Sequence, residues 1–123
     1  MNRLTLALDV MGGDIGPRIT IPASLSALEA DPMLSLVLFG DSQQISQLLE
    51  NAPSSLLERI QIHHCTKTID NNQGISHALR HSKGTSMRLA IEMVQKGEAQ
   101  GCVSAGNTGA LMGLSKVLLQ PLE

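Results

Sequence analysis

The stretch that decides the fold is LTLALDVMGGDIGP, residues 4–17. Its first part, Leu4–Val10, is a short and mostly apolar run, which predicts a buried β-strand. Its second part contains three glycines and ends at Pro17, which predicts a turn. Pro17 suits the first turn of a helix, because its missing N–H would have no helical partner there. The stretch therefore predicts a strand, a turn and a helix in direct succession.

The same succession repeats along the chain. Apolar residues at Ile21, Leu25 and Leu28 predict the first helix, and Asp31-Pro32 ends it. Further strands are predicted at Leu34–Phe39, Ile60–His64 and Gly101–Ala105, and further helices around 45–49, 74–82, 87–94 and 111–118. Strands that alternate with helices form a mostly parallel sheet covered by helices. We therefore predict an α/β fold, with residues 1–123 forming one domain or the N-terminal part of one.

Composition argues against several classes of protein. Phe39 is the only Phe, Tyr or Trp, and the net charge is −2, so neither stacking platforms nor a basic surface for nucleic acid is expected. Cys65 and Cys102 have no metal-type spacing and are predicted to be reduced thiols. The chain has no run of about 18 apolar residues and no signal-peptide pattern. These features predict a cytoplasmic protein, and they leave peripheral membrane contact open.

Two glycine-containing turns are the candidate ligand sites. One follows Asp9 and the other spans Val103–Ala110, and in a parallel sheet such turns lie at the carboxyl edge, where ligands bind. The second turn adds hydroxyl and amide donors on Ser104, Asn107 and Thr108 that suit an oxyanion. The alternatives are that both turns only connect elements, and that Asn107 or Thr108 only caps a helix.

A third candidate is the segment Arg80–Arg88, in which three cations and several hydroxyls flank a predicted helix start. It is either an anion-binding segment or a solvated basic turn. A metal site is not expected. His77 and His81 stand at i and i+4, but no carboxylate comparable to the Glu of His-Glu-x-x-His lies between them. Asp9 with Asp14 could hold magnesium, and the preferred alternative is that Asp14 only serves the turn or the helix start.

Three segments together resemble one family, the bacterial acyl-carrier-protein:phosphate acyltransferases of phospholipid synthesis. They are ALDVMGGDIGP at residues 7–17, KGTSM at residues 83–87 and VSAGNTGALM at residues 103–112. Two departures occur. Thr85 stands where the family commonly has a serine, and Val10 stands where a smaller residue is often found. Members of the family are much longer than 123 residues. We therefore expect this chain to be an N-terminal portion that is inactive alone.

The resemblance implies a three-layer α/β/α fold related to phosphate acetyltransferases and isocitrate-type dehydrogenases. It implies transfer of a fatty acyl group from acyl carrier protein to inorganic phosphate, with no metal or organic cofactor. It also implies a homodimer and a downstream acyltransferase that consumes the acyl phosphate. The alternatives from the residues alone are a nucleotide-binding or dehydrogenase-type domain and a non-catalytic interaction module.

The candidate site residues follow from the turns and the resemblance. The expected catalytic residues are Asn107, Lys83 and Ser86. The expected residues for substrate or phosphate binding are Asp9, Gly12, Gly13, Asp14, Ser104, Gly106, Thr108 and Gly109. In this hypothesis the turn at 106–109 binds phosphate or the oxyanion, Lys83 and Ser86 hold the anionic substrate, and residues 12–14 shape the cleft floor.

Overall fold

The computed structural model describes residues 4–11, 16–67, 80 and 82–104. The strands in these ranges are β1 (Leu4–Asp9), β2 (Leu34–Gly40), β3 (Ile60–His64) and β4 (Gly101–Ser104). The helices are α1 (Pro17–Ala30), α2 (Ser42–Leu48), α3 (Ser54–Leu57) and α4 (Ser86–Gln95). The predicted alternation of strands and helices is confirmed. The helices expected around 74–82 and 111–118 lie outside, or almost wholly outside, the described residues.

The four strands form one parallel sheet in the order β3-β2-β1-β4. From β1 the chain winds outward through β2 to β3, and it then crosses back to place β4 on the other side of β1. Strands β1 and β4 therefore flank the point where the winding reverses, which is where ligands bind in open α/β sheets. Asp9, the last residue of β1, is in register with Ser104, the last residue of β4.

Helices cover both faces of the sheet. Helices α1, α2 and α3 cover one face through a core cluster of Val10, Ile21, Leu28, Leu34, Leu36, Leu38, Ile45, Leu49 and Leu56. Helix α4 covers the other face through a second cluster of Ala7, Val37, Phe39, Cys65, Ala90 and Ala99. Alternate residues of β1 and β2 thus enter opposite cores, and the predicted three-layer α/β architecture is confirmed. Among the described residues, no helix has the length and apolar character needed to span a membrane.

The end of α1 is secured by Arg59, the residue just before β3. The Arg59 guanidinium donates hydrogen bonds to the backbone oxygens of Leu28 at 2.6 Å, Asp31 at 2.8 Å and Leu34 at 2.9 Å. The last carbonyls of a helix have no helical partner, and a cation near them also complements the helix dipole. Arg59 therefore joins α1, the loop after it and β2 in one contact.

Helix α4 has a defined start and end. The Thr85 hydroxyl accepts a hydrogen bond from the Arg88 N–H at 3.3 Å, as an N-cap residue does. At the other end, Gly97 takes a φ of 80°. Its N–H donates to Val94 at 3.0 Å, and the Glu98 N–H donates to Met93 at 3.0 Å. This pair of bonds is a Schellman motif, so the helix ends at a position that favours glycine.

Gly97→Ala should lower the free energy of unfolding by about 1 kcal/mol, because a left-handed backbone penalises any Cβ. An added Cβ would meet nothing within 4 Å, so the effect should come from the backbone alone. Urea denaturation followed by circular dichroism measures it. Gly97→Asn is the control and should cost less, since asparagine tolerates this conformation. Equal stability of all three proteins would contradict this account of the helix end.

Candidate active site

The centre of the candidate site is the carboxylate of Asp9, which is 4% exposed at the end of β1. Its Oδ1 accepts a hydrogen bond from the Ser86 hydroxyl at 2.5 Å and from the Met11 N–H at 3.2 Å. Its Oδ2 accepts from the Ser104 hydroxyl at 2.7 Å. A buried charge requires such partners, and hydroxyl-to-carboxylate bonds of this length belong to the strong class.

The Asp9 cluster, defined as Asp9, Ser86 and Ser104, joins three distant parts of the chain. Ser86 lies 77 residues from Asp9, and Ser104 lies 95 residues from it. Asp9 ends β1, Ser104 ends β4 and Ser86 is the first residue of α4. The carboxylate therefore fixes two strand ends and one helix start against each other. The structure thus brings together three of the residues predicted from the sequence.

The hydrogen-bond directions limit what the serines can do. An ionised carboxylate has only lone pairs to offer, so both hydroxyls give their single hydrogen to Asp9. In this arrangement the Ser86 hydroxyl has no hydrogen left for a bound anion. A phosphate in direct contact with Asp9 would also bring two negative charges together. The cluster is therefore suited to positioning the elements around the site, and direct phosphate binding by Asp9 or Ser86 stays a prediction.

The turn that enters α4 carries positive charge to the same edge of the sheet. The Ser82 backbone oxygen accepts hydrogen bonds from the Thr85 N–H at 2.9 Å and from the Thr85 hydroxyl at 2.7 Å. Between them, Gly84 has a φ of 82°. The Lys67 ammonium donates to the Lys83 backbone oxygen at 2.9 Å. Lys67 and Lys83 are both exposed, beside the positive end of the helix dipole. This turn is suited to an anionic ligand.

Arg88 is less suited to binding an anionic ligand, because it is engaged in contacts within the protein. Its Nε lies 3.1 Å from the Glu92 carboxylate, and its Nη1 donates to the Ser82 hydroxyl at 3.0 Å. The arginine thus braces the turn against α4. Within the candidate segment 80–88, Lys83 is therefore a better placed cation for a ligand than Arg88.

Other predicted site residues lie outside the described part of the chain. They are Gly12, Gly13, Asp14, Gly106, Asn107, Thr108 and Gly109. Gly12 comes three residues after Asp9, and Gly106 comes two residues after Ser104. Their roles stay predictions.

No group of three or more metal-binding side chains occurs within the described ranges. The His64 Nδ1 accepts a hydrogen bond from the Ser42 N–H at 3.0 Å, which ties the end of β3 to the start of α2. His77, His81 and Asp14, which the sequence analysis weighed as weak candidates, lie outside those ranges.

The negative charge of Asp9 affects the pKa of both cysteine thiols. Burial raises the pKa of the Cys65 thiol to about 11, and the charge of Asp9 adds to the effect. Burial and then Asp9 raise the pKa of Cys102 in the same direction. A nucleophilic cysteine needs a lowered pKa. Both thiols therefore have the character of structural residues.

The fold and the site define a class. This is a parallel α/β protein whose ligand edge, at the reversal of winding, is held together by a buried carboxylate and two serines. The chain belongs to the fatty acid synthesis protein family, since residues 4–123 match that family.

Individual relatives carry a more specific name. Proteins named phosphate acyltransferase from Mannheimia succiniciproducens and Pasteurella multocida are each 80% identical to this chain over 123 residues. One from Actinobacillus succinogenes is 72% identical over 127 residues. All three matches cover 100% of this chain, and they cover 36%, 36% and 37% of the relatives. The chain therefore spans little more than a third of the length of these curated relatives.

Ser86→Ala should lower the free energy of unfolding by roughly 1.5–3 kcal/mol, because it removes a hydrogen bond to a buried charge. The matched control is Ser24→Ala in α1. Ser24 is 3% exposed, but its hydroxyl donates to a neutral backbone oxygen, that of Thr20, at 2.7 Å. The control should therefore cost less, about 0.5–1.5 kcal/mol. Urea denaturation of both variants gives the comparison. An equal or larger loss in the control would argue against a charged, structural Asp9.

Alkylation of Cys65 by iodoacetamide should reach half its maximal rate near pH 11 in folded protein, because only the thiolate reacts. Cys102→Ser isolates the thiol, and mass spectrometry follows the modification. In urea the same midpoint should fall to about 8.5. A folded midpoint near 8.5 would show that burial and Asp9 do not hold the thiol protonated.

Proposed function

We propose that this chain forms one wall of the active site of a phosphate acyltransferase. That enzyme transfers a fatty acyl group from acyl carrier protein to inorganic phosphate. The observation that supports this most directly is the Asp9 cluster. Each of the three segments that resemble the acyltransferases contributes one residue to this cluster. The Ser86 and Ser104 hydroxyl oxygens lie 2.5 Å and 2.7 Å from the Asp9 carboxylate. The relatives named phosphate acyltransferase support the same reading.

The proposed reaction requires no covalent enzyme intermediate. A phosphate oxygen attacks the thioester carbonyl carbon, the carbon–sulfur bond breaks, and the carrier protein leaves as the thiolate. The proton lost by hydrogen phosphate goes to that thiolate, so the products are acyl phosphate and the carrier thiol. Phosphate is already a nucleophile near neutral pH. The protein therefore has to orient two substrates and stabilise the oxyanion.

The predicted site residues divide these tasks. In this proposal Asp9 positions α4 and β4 through Ser86 and Ser104. The exposed Lys83 supplies positive charge beside the start of α4. The turn at 106–109, which follows Ser104 along the chain, supplies donors to phosphate or the oxyanion through Asn107 and Thr108. The alternative use of this edge is nucleotide binding, as in a dehydrogenase-type domain.

Several wider features also belong to the proposal. They are a homodimer, a cytoplasmic location with possible peripheral contact with the membrane, and a downstream acyltransferase that uses the product. The homodimer and the downstream acyltransferase follow from the resemblance in the three segments, and the location follows from the composition. Gel filtration with light scattering and cell fractionation test the first two.

Formation of acyl phosphate from acyl carrier protein and phosphate is the direct test. It requires a protein of the relatives' length that carries this chain, hereafter the full-length protein. We expect acyl phosphate, trapped as the hydroxamate, from that protein and none from the 123-residue chain. Calorimetry should detect binding of phosphate and acyl carrier protein. Binding of nucleotides without any acyl transfer would instead support the dehydrogenase-type alternative.

Lys83→Ala in the full-length protein should raise the KM for phosphate roughly tenfold, because a charged contact contributes about 1.4 kcal/mol. The kcat should change little if Lys83 only holds the substrate. Lys96→Ala is the matched control, since Lys96 is also exposed but lies at the opposite end of α4. An unchanged phosphate dependence in Lys83→Ala would remove that residue from the site.

A further inference from the structure

The segment that follows β3 is fixed to the sheet before it reaches Lys67. The Cys65 N–H donates a hydrogen bond to the Gly40 oxygen at 2.8 Å, so the pairing of β3 with β2 extends past the last residue of β3. The Cys65 side chain is buried and belongs to the second core cluster. Lys67 therefore lies two residues beyond a firmly held position, at the same edge of the sheet as the Asp9 cluster.

Lys67 contacts the turn before α4 in two ways. Its backbone oxygen accepts a hydrogen bond from the Ser86 N–H at 3.0 Å, and its ammonium donates one to the Lys83 backbone oxygen at 2.9 Å. Ser86 is the first residue of α4, and an N–H at that position has no partner inside the helix. Lys67 therefore supplies that partner with its backbone and holds the preceding turn with its side chain.

The Lys83 carbonyl belongs to a part of the turn that needs an external partner. It precedes Gly84, whose φ is 82°. Glycine has wide backbone freedom, so the peptide between these two residues can rotate unless its carbonyl is bound. Packing gives little restraint, because a Cβ added at Gly84 would meet nothing within 4 Å among the described residues. The bond from the Lys67 ammonium is thus the restraint that the described part of the chain provides.

The other hydrogen bonds of the turn hold its two ends. The Ser82 oxygen accepts from the Thr85 N–H and hydroxyl, and Arg88 donates to the Ser82 hydroxyl. These contacts fix the residues that flank the turn. Within the described ranges, the orientation of the Lys83 backbone then depends on Lys67.

We infer that Lys67 is a positioning residue for phosphate, because it fixes the backbone of Lys83 and so directs the Lys83 ammonium toward the ligand. The inference rests on the proposed function, in which Lys83 holds the phosphate. It adds a residue that lies outside the three segments that resemble the acyltransferases, 16 positions before Lys83. Lys67 acts through Lys83 and does not itself contact phosphate. Removal of its ammonium should therefore alter phosphate binding only while the Lys83 side chain is present.

The first test replaces the Lys67 side chain in the full-length protein. Lys67→Met removes the donor and keeps much of the side-chain length, and Lys67→Arg keeps a charged donor. Lys96→Met makes the same change at the opposite end of α4 and is the matched control. Initial rates are measured over a range of phosphate concentrations, together with the thermal midpoint of each variant.

We expect Lys67→Met to raise the KM for phosphate about fourfold and to leave kcat within about twofold. The rise should be smaller than in Lys83→Ala, because Lys67 acts through that residue. Lys67→Arg and Lys96→Met should stay within about twofold of the unsubstituted protein. The inference is overturned by an unchanged KM in Lys67→Met or by an equal rise in Lys67→Arg. A fall in kcat and in thermal midpoint without a change in KM would also overturn it, since that is the pattern of a purely structural contact.

A double-mutant cycle separates positioning from direct contact. In protein that carries Lys83→Ala, the addition of Lys67→Met should change the KM for phosphate by less than about 1.5-fold, because no Lys83 side chain remains to be directed. A further rise of about fourfold in that background would mean that the Lys67 ammonium contacts phosphate itself, and it would overturn the positioning role.

Hydrogen exchange followed by mass spectrometry separates this inference from the proposed function. The Thr85 N–H is bonded within the turn and the Ser86 N–H is bonded to Lys67. Lys67→Met should make these groups exchange about threefold faster, and Lys96→Met should not. Faster exchange with weaker phosphate binding in calorimetry, but without acyl phosphate formation, would keep the role of Lys67 and reject the acyltransferase proposal. Acyl phosphate formation with unchanged exchange and an unchanged KM would do the reverse.

Discussion

A buried negative charge at the end of β1 is the constraint on which the site depends. Asp9 is 4% exposed, and a carboxylate in that position is tolerated only if hydrogen-bond donors surround it. Two of its donors are hydroxyls from elements far away in the sequence. The need to satisfy one charge therefore dictates where β4 ends and where α4 begins.

The parallel sheet explains why these partners are available. The chain reverses its winding between β1 and β4, so the carboxyl ends of these strands are neighbours, and Asp9 is in register with Ser104. Helix α4 covers the face that carries Asp9, and its first residue reaches the same edge. The other face at this edge is apolar. One edge thus has a polar, positively flanked side and an apolar side.

Much of the fold could be predicted from the sequence, because apolar runs, glycines and prolines report local structure. The strand at residues 4–9 and the helix that begins at Pro17 are examples. The contacts of Arg59 could not be predicted in this way. Its three acceptors lie 25 to 31 residues earlier, and their carbonyl oxygens belong to the backbone, so no residue type in the pattern points to them.

The candidate site shows the same limit. Asp9, Ser86 and Ser104 were each selectable as polar residues beside glycine-containing turns, but the sequence does not state that one carboxylate binds both serines. That depends on strand order and register, which are long-range properties. An acidic residue at the end of an apolar strand was the available signal that polar partners must come from elsewhere in the chain. In the structure the Ser86 hydroxyl donates to Asp9, which gives it a positioning contact, while its predicted role toward the substrate stays a prediction.

The sequence separation between Asp9 and Ser104 also determines the delay between their synthesis on the ribosome. The two residues are 95 positions apart, and a ribosome adds about 5–20 residues per second, so β1 emerges roughly 5–19 s before its partner in β4. During that interval Asp9 lacks the Ser104 hydroxyl, one of the donors that make its burial tolerable. The edge of the nascent sheet should therefore remain hydrated and open until Ser104 arrives. Maturation of the ligand edge is in this way coupled to completion of the sheet.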